Sequence, residues 1–277
     1  VEHVVSSRPT SAVPGRRFRR LAVALAAFAL LLGLTAAPAA ARTDTTNKVT
    51  LFVHGYSLTG GTDCGGDFNS MISSLRSKGF TGPMVKLGFY TGDSNCDLSL
   101  RSWGSFSNGS SWKEIAKAFS KYVYSTYTSK GIPVDVVGYS MGGLITRGGV
   151  YGASNGQSGF SAPIDVEDMV TLGTPHNGAA WYTNICLWGQ CSTMKPGATD
   201  IKWINQNGNP QGKYGTEFTA VGSNGDSVVS AASATYMSLP SSRKPIYSNV
   251  PHTGSRNYMH DATVVARAAS ALQYVNS

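Results

Sequence analysis

The sequence predicts an α/β fold, a mostly parallel central sheet with helices on both faces. Three observations predict it. Short β-branched apolar runs alternate with longer amphipathic segments from Lys48 onward. The runs are apolar at successive positions rather than at every second one, as strands covered on both faces require. One serine stands between two glycines where such a run passes straight into a helical pattern, in VDVVGYSMGGLITRGG over 134–149.

Taken in order, 48–54 (KVTLFVH) reads as the first strand, β-branched and nearly all apolar. Asp67 to Lys78 reads as a helix because Phe68, Met71, Ile72 and Leu75 fall on one face. Met84 to Tyr90 is again strand-like. Trp112 to Thr128 follows as a helix, with Ile115, Ala116, Phe119, Tyr122 and Val123 on one side. Val134 to Val137 is the next strand and Met141 to Val150 the next helix. Asp168 to Leu172, Phe218 to Val221 and Pro245 to Val250 are further strands. Ala262 to Val275 closes the chain as a helix with Asp261 as its N-cap. Right-handed crossovers between such units build a doubly wound sandwich. Asp93 to Ser111 and Trp181 to Gly215 break the rhythm. Both are rich in Gly, Asn and Ser and carry aromatics and cysteines, the profile of ordered functional loops.

The first residues have a separate logic. Arg16, Arg17, Arg19 and Arg20 precede an apolar run from Leu21 to Leu34, and small residues follow up to Ala41. That order is a secretory signal, expected to be cut after Ala41 and to leave residues 42–277 as one domain. The run of fourteen residues is short of the roughly 20 that span a bilayer. The paired arginines also allow twin-arginine export. The leader holds five arginines and one glutamate, so about +4 of the total +8 charge stays with the remainder. Its lysines and arginines are scattered, without the basic, aromatic-interleaved run of a nucleic-acid binder. Cys64, Cys96, Cys186 and Cys191 all follow the leader, and sequence proximity favours the pairs Cys64–Cys96 and Cys186–Cys191.

Gly138-x-Ser140-x-Gly142, between a strand and a helix, has the form of a nucleophile elbow. A sharp turn lifts the serine hydroxyl clear of the sheet, and the flanking residues must be small for strand and helix to approach. Such a serine needs a base, an orienter for the base, and donors for the oxyanion. Three histidines follow it. His176, in LGTPHNG, precedes the candidate acid and is read as structural or pocket-lining. His252 directly follows the last strand and is favoured as base, with His260 the alternative. Asp226, in the turn after the strand ending near Val221, is favoured as acid over Asp200. The oxyanion donors are then the backbone N–H groups of Met141 and Tyr56, the latter after Gly55. His54 is read as holding that loop by hydrogen bonds.

VHGY, GYSMGG, LGTPHNG, NGDSVV and VPHTG, in this order, resemble the small secreted bacterial lipases of the α/β-hydrolase fold, above all the actinobacterial extracellular lipases. The resemblance covers nearly the whole chain beyond residue 41. It implies hydrolysis of acyl esters through Ser140, Asp226 and His252, with Tyr56 and Met141 as oxyanion donors and no metal or cofactor. The last loop, HTGSRNYMH, is longer than in the smallest members and keeps His260 in play. The expected substrate is a lipid or other ester, met during transient contact with a lipid interface, and the chain is expected to act as a monomer. Trp103, Phe106, Trp181, Tyr182, Leu187 and Trp188 would suit an acyl groove or simply pack their loops. A polyester or cutin hydrolase, a glycolipid deacylase, a peptidase on the same fold and a catalytically silent binding protein are the competing readings.

Overall fold

The computed structural model describes residues 44–179, 189–206 and 212–273. Seven parallel strands form one sheet: β1 Val49–Val53, β2 Met84–Gly88, β3 Leu98–Ser99, β4 Val134–Tyr139, β5 Val166–Leu172, β6 Glu217–Ser223 and β7 Ile246–Tyr247. Their order across the sheet is β3-β2-β1-β4-β5-β6-β7. The two central strands β4 and β5 are buried at every residue, which is why their sequences do not alternate.

The helices are α1 Cys64–Ser77, α2 Trp112–Thr126, α3 Met141–Ser154, α4 Gly189–Ser192, α5 Thr199–Asn205, α6 Ala231–Ala234 and α7 Ala262–Ala271. Two apolar layers flank the sheet. On one face Trp112, Ile115 and Phe119 of α2 pack with Leu144, Ile145 and Val150 of α3 against Leu51, Val136 and Met169. On the other, Phe68, Met71 and Leu75 of α1 join Val264, Val265 and Ala268 of α7 over Phe52, Val137 and Val170. The helix stripes read from the sequence are these buried faces. Asp261 caps α7 as expected, accepting from the amides of Thr263 and Val264.

Where the elements differ from the sequence reading, a side chain or an edge explains it. The second strand stops at Gly88 rather than Tyr90 because the Asp93 carboxylate takes the amides of Phe89 and Tyr90, at 2.6 and 2.7 Å. The first helix begins at Cys64, three residues early, with Asp63 accepting from the Gly65 amide. The seventh strand pairs only at Ile246 and Tyr247, as an edge strand whose chain then turns back over the sheet. Inside the two irregular stretches lie β3 and the short helices α4 and α5, too brief to show a helical period.

Cys64 and Cys96 form a disulfide that ties the start of α1 to the loop after β2. Cys191 is also disulfide-bonded, and Cys186 lies outside the described residues. At the amino-terminal edge of the sheet the Lys48 ammonium meets Asp44 at 2.7 Å, Glu167 at 3.1 Å, Asp135 at 3.4 Å and Asp168 at 3.8 Å. One cation cannot neutralise that many carboxylates. Burial pushes Asp168 up to about 9, with the neighbouring Asp135 adding to the rise. Burial likewise takes Asp135 up to about 7, opposed by Lys48.

Candidate active site

The register brings the carboxyl ends of four strands level: Val53 lies opposite Gly138, Gly138 opposite Thr171, and Thr171 opposite Ala220. The loops that follow therefore open onto one edge of the sheet, the usual place for ligands in such folds. Ser140 is the hinge between β4 and α3, with φ 53° and ψ −125°. Only it and Asn95 among the described non-glycine residues have positive φ. Such a conformation costs about 1–3 kcal/mol and persists only where its surroundings enforce it. Here the Ser140 amide donates to Leu172 O at 2.8 Å, and the Gly143 amide to Ser140 O at 3.1 Å. The close approach is literal. A Cβ on Gly138 would stand 2.6 Å from Gly143 Cα, and one on Gly55 2.8 Å from the Ser140 side chain. Ser140 makes no capping bond to the helix it precedes. Its hydroxyl instead donates to His252 Nε2 at 2.9 Å.

His252 and Asp226 come from the loops after β7 and β6. Ser223 holds those loops together, because its hydroxyl accepts from the amides of both Gly225 and Val250, at 3.0 and 2.9 Å. His252 Nδ1 donates to Asp226 Oδ2 at 2.7 Å. The other oxygen, Oδ1, accepts from the amides of Val228 and Val229, each at 2.8 Å. A further donor, the Tyr258 hydroxyl, reaches Oδ2 at 2.9 Å. The Tyr139 hydroxyl donates to the His252 carbonyl at 2.5 Å and so anchors the backbone of that loop. Ser140, His252 and Asp226 thus form one continuous hydrogen-bonded chain. His260 stands apart, its ring bonded to Asn257 Oδ1 at 2.8 Å. Asp200 is engaged by the Ser111 hydroxyl at the start of α2. The structure brings neither alternative to the serine.

Tyr56 lines the same cavity as Ser140, and Met141 opens α3 fully buried. The peptide before Tyr56 is oriented from behind. His54 Nδ1 lies 2.9 Å from Gly55 O, and because the peptide is planar and trans the Tyr56 N–H points the opposite way. His54 is fully buried, stacked on Phe89 at 4.1 Å, and its Nε2 donates to Asp93 Oδ2 at 3.0 Å. Burial raises the Asp93 carboxyl, but the His54 ring and the amides of Tyr90 and Phe89 outweigh it and hold the group below the usual carboxylate range. The loop-holding role expected of His54 is the role its bonds describe.

His176 is buried beneath this edge. It accepts from Arg147 at Nδ1 (3.1 Å) and lies 2.9 Å from the Thr171 hydroxyl at Nε2. Burial first, and the Arg147 charge second, lower its pKa well below the ordinary histidine value. It is therefore a neutral structural ring. The cavity at Ser140 encloses about 100 Å³, with Tyr56, Pro175, Ala179, Met194, Val228 and Val229 in its wall. Trp103 and Phe106 are not in that wall. Trp103 packs on Tyr122 of α2 with centroids 4.9 Å apart, and Phe106 lies under the Arg101 guanidinium. Trp181, Tyr182, Leu187 and Trp188 lie outside the described residues. The sequence reading missed Tyr258, Tyr139 and Asp93. Asp93 had a local signal, since a carboxylate three residues after a strand end suits a turn that accepts backbone amides. The two tyrosines had none.

The family model described as lipase (class 2) matches residues 49–273. Among solved structures, the mature form of Bacillus licheniformis lipase BlEst2 superposes with a TM-score of 0.56 at 17% identity, over 84% of this chain and 95% of that one. Phospholipase PlaB from Legionella pneumophila, in complex with thio-NAD, gives 0.59 at 15% identity, over 82% of this chain and 59% of that one. Aspergillus fumigatus lipase B gives 0.53 at 14% identity, over 86% and 56%. The chain thus spans little more than half the length of the last two. At these identities the likeness is one of fold, the α/β-hydrolase fold. No curated protein matches the chain.

Proposed function

The chain belongs to the class 2 lipase family, and from that premise we propose that it is an exported serine hydrolase cleaving carboxylic esters of lipids through an acyl-enzyme at Ser140. The observation that carries the mechanism is the hydrogen-bonded chain from Ser140 through His252 to Asp226, beginning at a serine in a strained turn. As the Ser140 oxygen attacks the ester carbonyl, His252 Nε2 takes its proton and Asp226 steadies the resulting imidazolium. The carbonyl oxygen becomes an oxyanion beside the N–H groups of Tyr56 and Met141, each such donor contributing about 3–4 kcal/mol to the transition state. His252 then gives its proton to the departing alcohol, leaving the acyl group on Ser140. A water deprotonated by the same ring attacks that ester, and the acid and the free serine are regenerated. Every proton in the cycle is handled by His252.

The apolar wall of the serine's cavity supports an acyl chain as the bound group. Export is supported by the basic, apolar and small-residue order of residues 1–41 and by the Cys64–Cys96 bond, which suits an oxidising compartment. The residues matched by the family model, 49–273, all lie beyond that segment. The test is release of p-nitrophenol from esters of graded chain length, with Ser140→Ala alongside, and labelling of the protein by an alkyl phosphonate. Loss of both turnover and label in Ser140→Ala is the expected result. Turnover surviving in that variant rejects the mechanism, and an intact protein that neither turns over nor labels favours a silent binding fold.

A further inference from the structure

Asp226 has one donor more than a serine, histidine and aspartate need. Tyr258 lies in the long loop between His252 and α7, and its side chain is fully buried. Its hydroxyl donates at 2.9 Å to Oδ2, the oxygen that His252 Nδ1 reaches at 2.7 Å. The main chain makes room for it. Gly173, at φ 55°, could not carry a side chain, since a Cβ there would stand 2.6 Å from the Tyr258 ring and 3.1 Å from Asp226 Oδ2. The loop is set to deliver this residue inward. Asn257 Oδ1 accepts from the Met259 amide and holds the His260 ring, so the extra loop length serves Tyr258 rather than a second base.

We infer that Tyr258 is a positioning residue for the hydrolytic reaction, fixing the Asp226 carboxylate and moderating the basicity of His252. The inference rests on the reading of Ser140 as nucleophile. Oδ1 is pinned by two amides, and without Tyr258 only the histidine would restrain Oδ2, leaving the carboxylate plane free to rock. The tyrosine also shares the negative charge that the imidazolium faces, so removing its hydroxyl leaves more of that charge on the ring's partner. Other groups near this pair leave the role to Tyr258. Tyr139 spends its hydroxyl on the His252 backbone carbonyl, and Ser140 faces the far ring nitrogen. Asp67 of α1 acts on Tyr139 from behind, and is itself faced by His54 and His260.

The test is Tyr258→Phe, read by kcat, KM and the pH profile of kcat/KM on p-nitrophenyl butyrate. The base must be neutral to act, so a more basic His252 moves the rising limb toward higher pH. The expected result is a limb moved to higher pH and a kcat about tenfold lower, equal to ~1.4 kcal/mol, with KM nearly unchanged. In an Asp226→Asn background the same change should add little, because the tyrosine acts through that carboxylate. If Tyr258→Phe does not fold, 3-fluorotyrosine placed at 258 is a stronger donor of similar size and should shift the limb to lower pH. A variant with an unmoved limb and kcat but a lowered melting temperature, or full additivity with Asp226→Asn, overturns the inference. Activity in Ser140→Ala would instead overturn the reading beneath it.

Discussion

Adding a single methyl at Gly142 should separate the two halves of the proposed oxyanion site while leaving the chain folded. Gly142 lies in the first turn of α3, where the helix presses on the end of β1. A Cβ there would run into the Val53 carbonyl, 2.7 Å from its carbon and 2.5 Å from the His54 carbonyl oxygen. Ordinary contact lies near 3.5 Å, and the Val53 carbonyl oxygen is nearer still, so helix and strand must part by about 1–1.5 Å. Both opposing atoms are backbone of the sheet and cannot rotate aside. The displaced segments carry Ser140 and Met141 on one side and the Gly55–Tyr56 peptide on the other, so the movement opens the oxyanion site directly. A misplacement of that size costs on the order of 100-fold in rate, and overpacking costs about 1–3 kcal/mol of stability. Gly148→Ala, further along α3, is the control. Its Cβ would meet the Trp112 ring edge at 2.8 Å and Ala116 Cβ at 3.2 Å, within the core and away from the serine. Steady-state kcat on p-nitrophenyl butyrate and thermal melting, measured on both variants, separate the effects. Both should melt lower, and only Gly142→Ala should lose kcat by about two orders of magnitude. A folded Gly142→Ala with the parent kcat would refute the claim that this contact sets the oxyanion geometry.

Three further outcomes follow from other parts of the molecule. His252→Ala should lower kcat/KM by roughly 10⁴-fold or more, whereas His260→Ala should stay within a few-fold, since its ring bonds only Asn257 within the described site; the reverse ranking would exchange the base. At the opposite edge, Asp168 is pushed up to about 9 and Asp135 to about 7. Their folded values exceed the unfolded one near 3.9. The folded state therefore binds the extra protons, and stability is complete below about pH 4 for these groups and falls as pH rises through 7 and then 9. Melting should occur lower at pH 9 than at pH 5, and Asp168→Asn should flatten that difference; a parent protein equally stable at both would contradict the assignment. Finally, the Cys64–Cys96 bond closes a loop with a sequence separation of 32, for which about 3–4 kcal/mol of stability is expected. Denaturant unfolding of Cys64→Ser/Cys96→Ser should show that loss, and an unchanged midpoint would mean that the loop is held by other contacts.

What could be read from the sequence divides along a physical line. Elements whose cause is local were legible: the α2 stripe from Ile115 to Val123, the Asp261 cap, the unalternating strands β4 and β5, and the glycines flanking Ser140. So was chain order, which placed Asp226 and His252 in loops that the parallel register makes neighbours. Apart from the local turn at Asp93, the contacts that finish the site were not legible, because they join segments far apart in sequence. Nothing near Tyr258 indicates that its hydroxyl will meet a carboxylate 32 residues earlier in the chain. Only Asp44 lies near Lys48 in the chain; Asp135 sits inside a run that reads as a plain strand, and Glu167 and Asp168 lie at the start of another. Pro245 to Val250 was too long as a strand for a related reason. A partner on one side only supports two residues, and the Val250 amide turns instead to the Ser223 hydroxyl.

The two edges of the sheet show why chemistry collects at one of them. Asp168 and Asp226 are both buried carboxylates, at 0% and 8% exposure. Asp168 lies within a strand, where most neighbouring amides are committed to the ladder and its own goes to Asp135, and among the described residues neither of its oxygens has a hydrogen-bond partner. The proton it retains substitutes for the missing donors. Asp226 lies just past a strand end, where the chain turns and releases amides from the ladder, and those of Val228 and Val229 converge on it with His252 and Tyr258. At the same side of the sheet Ser140 leads into the helix start at Met141, and the first strand leads into the loop that carries Tyr56. In a parallel sheet all strands end this way on the same side. A nucleophile, a charged orienter and oxyanion donors can therefore be assembled there from short loops, whereas the carboxylates at the opposite edge lie inside strands without such converging donors.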